Sequence, residues 1–275
     1  MLTDYHVHLR QDGTEYTADE AFTSANAERY LEVAAERGVE TLGVSEHVDR
    51  FVQALEVWQH PFWREQARDD IDAYCEFVRN ETPLALGIEA DFLSGREDRM
   101  ATLLEARDWD YVIGSVHFLG DLALDMQGEW DIWRSNDPDK VWRRYFETLG
   151  EAARSGLFDI LAHPDLVKVW GSAAPTPDRD PRFYYELAMD GIAESDVAIE
   201  VSTAGLRKPV GEIYPAPGFL EMCLEAGRPV ALSSDAHRPN DLAYRYEDAL
   251  EYLEKAGVDR IAVFERRQRR LEPVG

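Results

Sequence analysis

The stretch Asp4-Tyr5-His6-Val7-His8 begins the first apolar run of the chain, and the plan of the molecule follows from it. On an extended strand, residues two apart share a face, so His6 and His8 stand roughly 6.5–7 Å apart at their Cα atoms. Two imidazoles so placed can converge on one cation at about 2.0–2.1 Å from each nitrogen. His-x-His also occurs as a plain surface pair, so the choice turns on where the other histidines fall.

The chain has seven: His6, His8, His47, His60, His117, His163 and His237. Six of them close apolar runs that read as strands: Tyr5–His8, Thr41–His47, Tyr111–His117, Phe158–His163 and Pro229–His237. Two further runs, Leu84–Asp91 and Val197–Thr203, carry Glu89 and Glu200 at the same place. Singly, each is as well read as a core histidine or a paired carboxylate. A buried carboxylate on an apolar strand needs a cation, however, and no Lys or Arg neighbours Glu89 in sequence. If the strands are parallel, all these side chains gather at one rim, where they would form a metal site. Asp235, in Ser233-Ser234-Asp235-Ala236-His237, alternates with His237 as His6 does with His8. His60, ahead of Pro61 in an aromatic loop, reads as structural or as pocket lining.

Working outward, strands are expected at Thr3–His8, Thr41–Ser45, Leu84–Glu89, Tyr111–Val116, Phe158–Ala162, Val197–Val201 and Pro229–Ser233. Helices are expected over about Ser24–Arg37, Glu65–Asn80, Gly95–Glu105, Asp137–Ser155, Phe183–Ser195 and Leu242–Ala256, with another ending at Ala226. A last apolar run, Arg260–Phe264, follows. Alternating strands and helices signal βαβ units. Polar residues at every strand end fit a (β/α) barrel better than an open sheet, which gathers ligands at one switch point. No repeat or linker interrupts residues 1–275, which read as one domain.

The chain holds 29 Lys+Arg against 54 Asp+Glu, a formal charge of −25, which argues against a nucleic-acid surface. A small phosphorylated substrate stays compatible, because bound divalent cations dominate their own neighbourhood. No run of about 18 apolar residues offers a membrane span. No signal peptide is visible, and Cys75 and Cys223 read as free thiols, so a cytoplasmic protein, monomer or homodimer, is expected. The Arg266-Arg267-Gln268-Arg269-Arg270 tail reads as a solvated end.

His6-x-His8, Glu46-His47, Glu89, Ser115-Val116-His117-Phe118, Ala162-His163-Pro164-Asp165 and Ser234-Asp235-Ala236-His237 together resemble the polymerase-and-histidinol-phosphatase (PHP) superfamily. Glu200 to Pro209 and Glu212-Ile213-Tyr214-Pro215 resemble its histidinol-phosphatase branch. The resemblance implies an α/β fold, a distorted (β/α)7 barrel of the TIM-like kind, with two or three divalent metals (Zn, Mn or Fe) at the rim. It assigns His6, His8, Asp235 and a bridging Glu89 to the first metal, and Glu89, His117 and His163 to the second. His47 and His237 fall to a third. Family members often add a ligand there from the loop after the first strand, frequently a histidine. This chain has none in that loop; Glu15, Asp19 or Glu20 stand in for it, or the third site is weak.

Metals about 3.5–4 Å apart can hold a bridging hydroxide for in-line attack on phosphorus. Asp235 is then the candidate to manage its proton, with His237 alongside. Arg207 is the candidate phosphate clamp, assisted by Lys208, although a solvated charge pair describes them equally well. The implied reaction is hydrolysis of L-histidinol phosphate to L-histidinol and phosphate, in histidine biosynthesis. Another phosphate ester, such as a nucleotide, is the alternative substrate, and a non-catalytic metal-binding module is the alternative class. Trp58, Trp63, Asp125 and Tyr214 are the acidic and aromatic groups on hand for the ammonium and imidazole of histidinol phosphate.

Overall fold

The computed structural model describes residues 1–13 and 15–275. Its strands are β1 (Thr3–Asp4), β2 (Thr41–His47), β3 (Ala85–Asp91), β4 (Tyr111–Ser115), β5 (Phe118–Leu119), β6 (Leu122–Ala123), β7 (Ile160–Leu161), β8 (Ala198–Ser202), β9 (Val230–Ser233), β10 (Arg260–Glu265) and β11 (Gln268–Pro273). Seven of them form one parallel sheet in the order β1-β2-β3-β4-β7-β8-β9. The helices between them are α1 (Ala18–Ala21), α2 (Ser24–Glu36), α3 (Pro61–Gln66), α4 (Ile71–Glu81), α5 (Glu97–Glu105), α6 (Pro138–Arg154), α7 (Pro181–Glu194), α8 (Pro217–Glu225) and α9 (Tyr246–Lys255). This is the expected distorted seven-stranded barrel. Among the described residues, no helix is long and apolar enough to cross a membrane.

The distortion is concentrated where the barrel closes. The first strand was expected to run to His8, but its ladder ends at Asp4. Beyond it, a single parallel bridge joins Val7 to Ala236, with His8 N–H donating to Ala236 O (2.8 Å) and Ala236 N–H to His6 O (3.0 Å). The two histidines therefore stand at the seam between the first strand and the last. Glycines admit a filling ring inside the barrel. A Cβ on Gly43 or Gly87 would lie 2.3 Å from atoms of Tyr111, whose hydroxyl donates to Tyr5 O (2.7 Å).

Two further expectations change. The helix expected over Glu65–Asn80 is two helices, because Asp70 caps the second by accepting from Asp72 and Ala73 N–H. Each such cap contributes about 1 kcal/mol. The last apolar run stays outside the sheet: β10 pairs antiparallel with β11 as a hairpin. The arginine tail is that hairpin's turn and outer strand, not a free solvated end. Arg267 donates to Asp159 (2.9 Å) and Arg269 to Asp196 (2.7 Å), while Phe264 packs edge-on against Tyr5. The hairpin thus covers the N-terminal ends of the strands, and the C-terminal ends remain open.

Candidate metal centre

Glu89 is the hub of that open end. It sits on β3 in register with His47 of β2, and it is 1% exposed. Its Oε2 lies 2.7 Å from His47 Nδ1, 3.1 Å from His6 Nε2 and 3.6 Å from His8 Nε2. Its Oε1 lies 3.3 Å from His163 Nε2 and 3.5 Å from His117 Nε2. Asp235 Oδ1 approaches His8 Nε2 (3.5 Å), His6 Nε2 (3.7 Å) and His237 Nδ1 (3.5 Å). Five strand ends and the closing loop therefore converge on two carboxylates.

Ligand-sized groups overlap around this hub: His6, His8 and Asp235; His6, Glu89 and His163; His47, Glu89 and His117; His8, His47 and His237. All eight residues that the resemblance assigns as metal ligands are brought together. The grouping differs in detail, since His47 meets Glu89 and His117 as well as His237. Glu15, Asp19 and Glu20 do not take part; they are exposed and belong to none of these groups. The carboxylate that reaches the third group from that loop is Asp12, whose Oδ1 lies 3.2 Å from His237 Nε2. Arg50 holds Asp12 there at 2.7 Å.

Electrostatics mark the centre as a place for cations. Burial raises the carboxyl of Glu89, but His47, His6 and His117 hold it well below the ordinary range. Asp235 is likewise depressed, against burial, by His6, His8 and His237. Burial drives His8 well down, with His237 and His47 adding to it. His6 and His117 are pushed well up in spite of burial, chiefly by Glu89 and Glu200 and by Asp91 and Glu89. Several buried atoms lack any hydrogen-bond partner: His6 Nε2, both nitrogens of His8, His163 Nδ1 and Glu89 Oε2. Each such group costs roughly 1–3 kcal/mol if left so, and divalent cations fit the set of nitrogen and carboxylate donors. His163 and Asp235 also hold left-handed backbones, at φ 24° and 52°. Strain of this kind costs about 1–3 kcal/mol and collects at functional sites.

Two orienting groups went unassigned in the sequence. Glu200 places Oε1 2.8 Å from His6 Nδ1, accepts from the His163 N–H (2.5 Å) and accepts from Ser233 Oγ (2.6 Å). Asp91 stands 2.9 Å from His117 Nδ1. The signal for Asp91 was available: Glu89-x-Asp91 alternates as His6-x-His8 does, so both face one way. Glu46, in contrast, is paired internally, accepting from Leu9 and Arg10 N–H and from Arg50.

The donors floor a cleft of about 320 Å³ whose walls include Lys208, Asp125 and Tyr214. Arg207 is not on its wall. Its guanidinium donates instead to the carbonyls of Ser234 and Asp235 (both 2.8 Å), because the turn that reverses the chain at Asp235 leaves those oxygens free. Arg207 therefore fixes the Asp235 backbone through Nη2, while its Nη1 has no hydrogen-bond partner among the described residues. Trp58 and Trp63 are core residues, packed on one another at 5.4 Å, and do not reach the cleft. His60 is structural: its Nδ1 caps α3 and its ring stacks on Trp58 at 4.3 Å.

The model of the PHP domain family matches residues 4–204. The chain belongs to the PHP family. A probable histidinol-phosphatase of Deinococcus radiodurans is 33% identical, with 99% of each chain covered. Another from Schizosaccharomyces pombe is 24% identical, covering 87% of this chain and 84% of that one. This PHP fold superimposes on the crystal structure of Lactococcus lactis histidinol phosphate phosphatase complexed with zinc, L-histidinol and phosphate. The TM-score is 0.69 at 17% identity, and 98% of each chain is covered. The family match stops short of Asp235 and His237, yet the PHP barrel closes by bringing both onto its seam.

Proposed function

We propose that residues 1–275 act as one metal-dependent phosphomonoesterase, hydrolysing L-histidinol phosphate to L-histidinol and phosphate. The observation that carries this reading is the convergence of five imidazoles on the single buried carboxylate of Glu89. The full-length likeness to a probable histidinol-phosphatase supports the choice of substrate. It would place the reaction in histidine biosynthesis, and the unpaired Cys75 and Cys223 are in keeping with a cytoplasmic setting.

His6, His8, Glu89, His117, His163 and Asp235 would hold two divalent ions, and His47 and His237 with Asp12 a third. Zinc, manganese and iron all suit such donors. When bound, these ions would acidify water and offset charge on the phosphoryl group. Glu200 and Asp91 keep the Nδ1 protons of His6 and His117, leaving each Nε2 lone pair toward the centre. Asp235, at the lip of the cluster, is the carboxylate able to accept the proton of the attacking water. Lys208 supplies a cationic side chain on the cleft wall for phosphoryl oxygens. Metal analysis of the purified protein, with phosphate release from L-histidinol phosphate followed before and after chelation, tests the proposal. Turnover that survives complete metal removal would overturn it.

A further inference from the structure

We infer that a small pocket behind Phe118, outside the metal centre, is a second oxyanion site that takes free phosphate and acts on the catalytic cleft. The inference goes beyond the hydrolytic reading of the cleft, and its binding arm stands apart from that reading.

The pocket holds about 110 Å³ and lies between the start of α5, the β5–β6 turn and α6. Trp58, Arg96, Phe118, Asp121, Arg144 and Thr148 are on its wall. Two guanidiniums therefore share one small space. Among the described residues, Arg144 has neither an ion pair nor a side-chain hydrogen bond. It lies over Gly120, where a Cβ would stand 3.5 Å from its Nη2. Arg96 has no ion pair among the described residues either. Its guanidinium lies 5.7 Å from the Trp58 ring centroid, with Nη1 3.5 Å from the Val57 carbonyl. Arg79, Arg107 and Arg154 show the common outcome in a chain of formal charge −25, each meeting a carboxylate.

The acids nearby do not fill this role. Asp121 is exposed, pairs with neither arginine, and bears instead on His60. Glu151 accepts from the Ser94 hydroxyl (2.9 Å). The hydroxyl of Thr148, a buried residue on the wall, has no hydrogen-bond partner among the described residues. Two like charges on one pocket repel, and a dianion relieves that repulsion. Guanidinium forks suit phosphate in particular, because each offers parallel N–H donors to its oxygens. Pockets for larger ligands run to about 300–1,000 Å³, so this one admits a single small ion.

Phe118 stands on the wall of this pocket and also on that of the cleft. It follows His117 directly, and Trp58 packs edge-on against it at 5.1 Å. An ion drawn to Arg96 weakens the hold of that guanidinium on Trp58 and so shifts the ring that backs Phe118. Occupancy of the pocket is thereby linked to the cleft, and the link works in both directions. Phosphate is the product of the proposed reaction, so the pocket reports its accumulation.

The experiment titrates inorganic phosphate by calorimetry into the metal-loaded wild type, Arg96→Gln and Arg144→Gln, with acetate as the monoanion control. Phosphate is also tested as an inhibitor of L-histidinol formation. The wild type should bind two phosphates per chain, one at the cleft and one in the pocket. Inhibition should be mixed, lowering kcat as well as raising apparent KM. Either substitution weakens the second phosphate about 10- to 100-fold and leaves purely competitive inhibition. Without added phosphate, kcat stays close to wild type. A single phosphate in the wild type, or a second that persists in either variant (an adventitious ion only), would overturn the inference. Displacement of the second phosphate by acetate at equal concentration, or purely competitive inhibition of the wild type, would do the same. If the wild type forms no L-histidinol, the phosphatase reading falls, and the count of bound phosphates decides the pocket by itself.

Discussion

Glu200 Oε1 lies 2.8 Å from His6 Nδ1, although the two residues are 194 positions apart and both are wholly buried. Glu200 never touches the centre of the cluster. It determines which nitrogen of His6 faces it. Glu200→Gln keeps the shape but offers an amide in place of the acceptor charge, so the His6 tautomer is no longer imposed. Metal affinity should fall about 10- to 100-fold, measured by competition with a chromogenic chelator, with secondary structure unchanged. An affinity equal to wild type would remove Glu200 from the site.

Glu89 should be far less forgiving. Five imidazoles lie within 3.6 Å of its two oxygens, so no neighbour can take over its charge. In Glu89→Gln, phosphate release is expected to drop about 10³-fold or more, with at least one equivalent of metal lost on gel filtration. His117→Ala and Asp235→Asn should fall by comparable factors while the circular dichroism spectrum is kept. A near wild-type rate in any of the three would contradict the proposed site.

Much of this centre was legible because strand alternation and strand-end position are local properties. His6-x-His8 states a shared face, and seven apolar runs ending in His, Glu or Asp imply one rim. Asp12 was not legible. It lies in a loop, where no periodicity says which acid turns inward, and Arg50 from a distant turn holds it beside His237. The contacts of Arg207 were hidden for a related reason. A guanidinium fits carbonyls as well as phosphate, and only the reversal of the chain at Asp235 shows which it meets. The hairpin that covers the barrel floor was hidden as well, since its pairing depends on contacts with Tyr5 and Asp159 far along the chain.

The loop acid can be decided by counting ions. If Asp12 completes the third group with His47 and His237, Asp12→Asn should lower bound metal by one equivalent in dialysed protein. Glu15→Gln and Glu20→Gln should leave the count alone. Mass-spectrometric metal analysis of the three variants reads this directly. Loss of the ion in Glu15→Gln instead would restore the expectation drawn from the sequence.

A last prediction concerns the floor of the barrel and carries a sign in pH. Burial raises the Asp159 carboxyl above its ordinary value, and Arg267, 2.9 Å away, lowers it only in part. A raised folded pKa means the native state holds the proton more tightly than the unfolded chain. The contribution of this group is therefore fully present below the unfolded pKa and is lost as pH rises through the folded one. Arg267 limits that loss. Arg267→Met leaves a buried carboxylate unpaired, raises its pKa further and widens the window of loss, at a cost of about 1–3 kcal/mol where the group is ionised. Denaturant unfolding of variant and wild type should show a larger difference at pH 8 than at pH 5, because partial protonation at pH 5 relieves the unpaired charge. A difference that is equal at the two pH values, or larger at pH 5, would mean that Arg267 stabilises the hairpin through its bond to the Leu157 carbonyl and its packing rather than through Asp159.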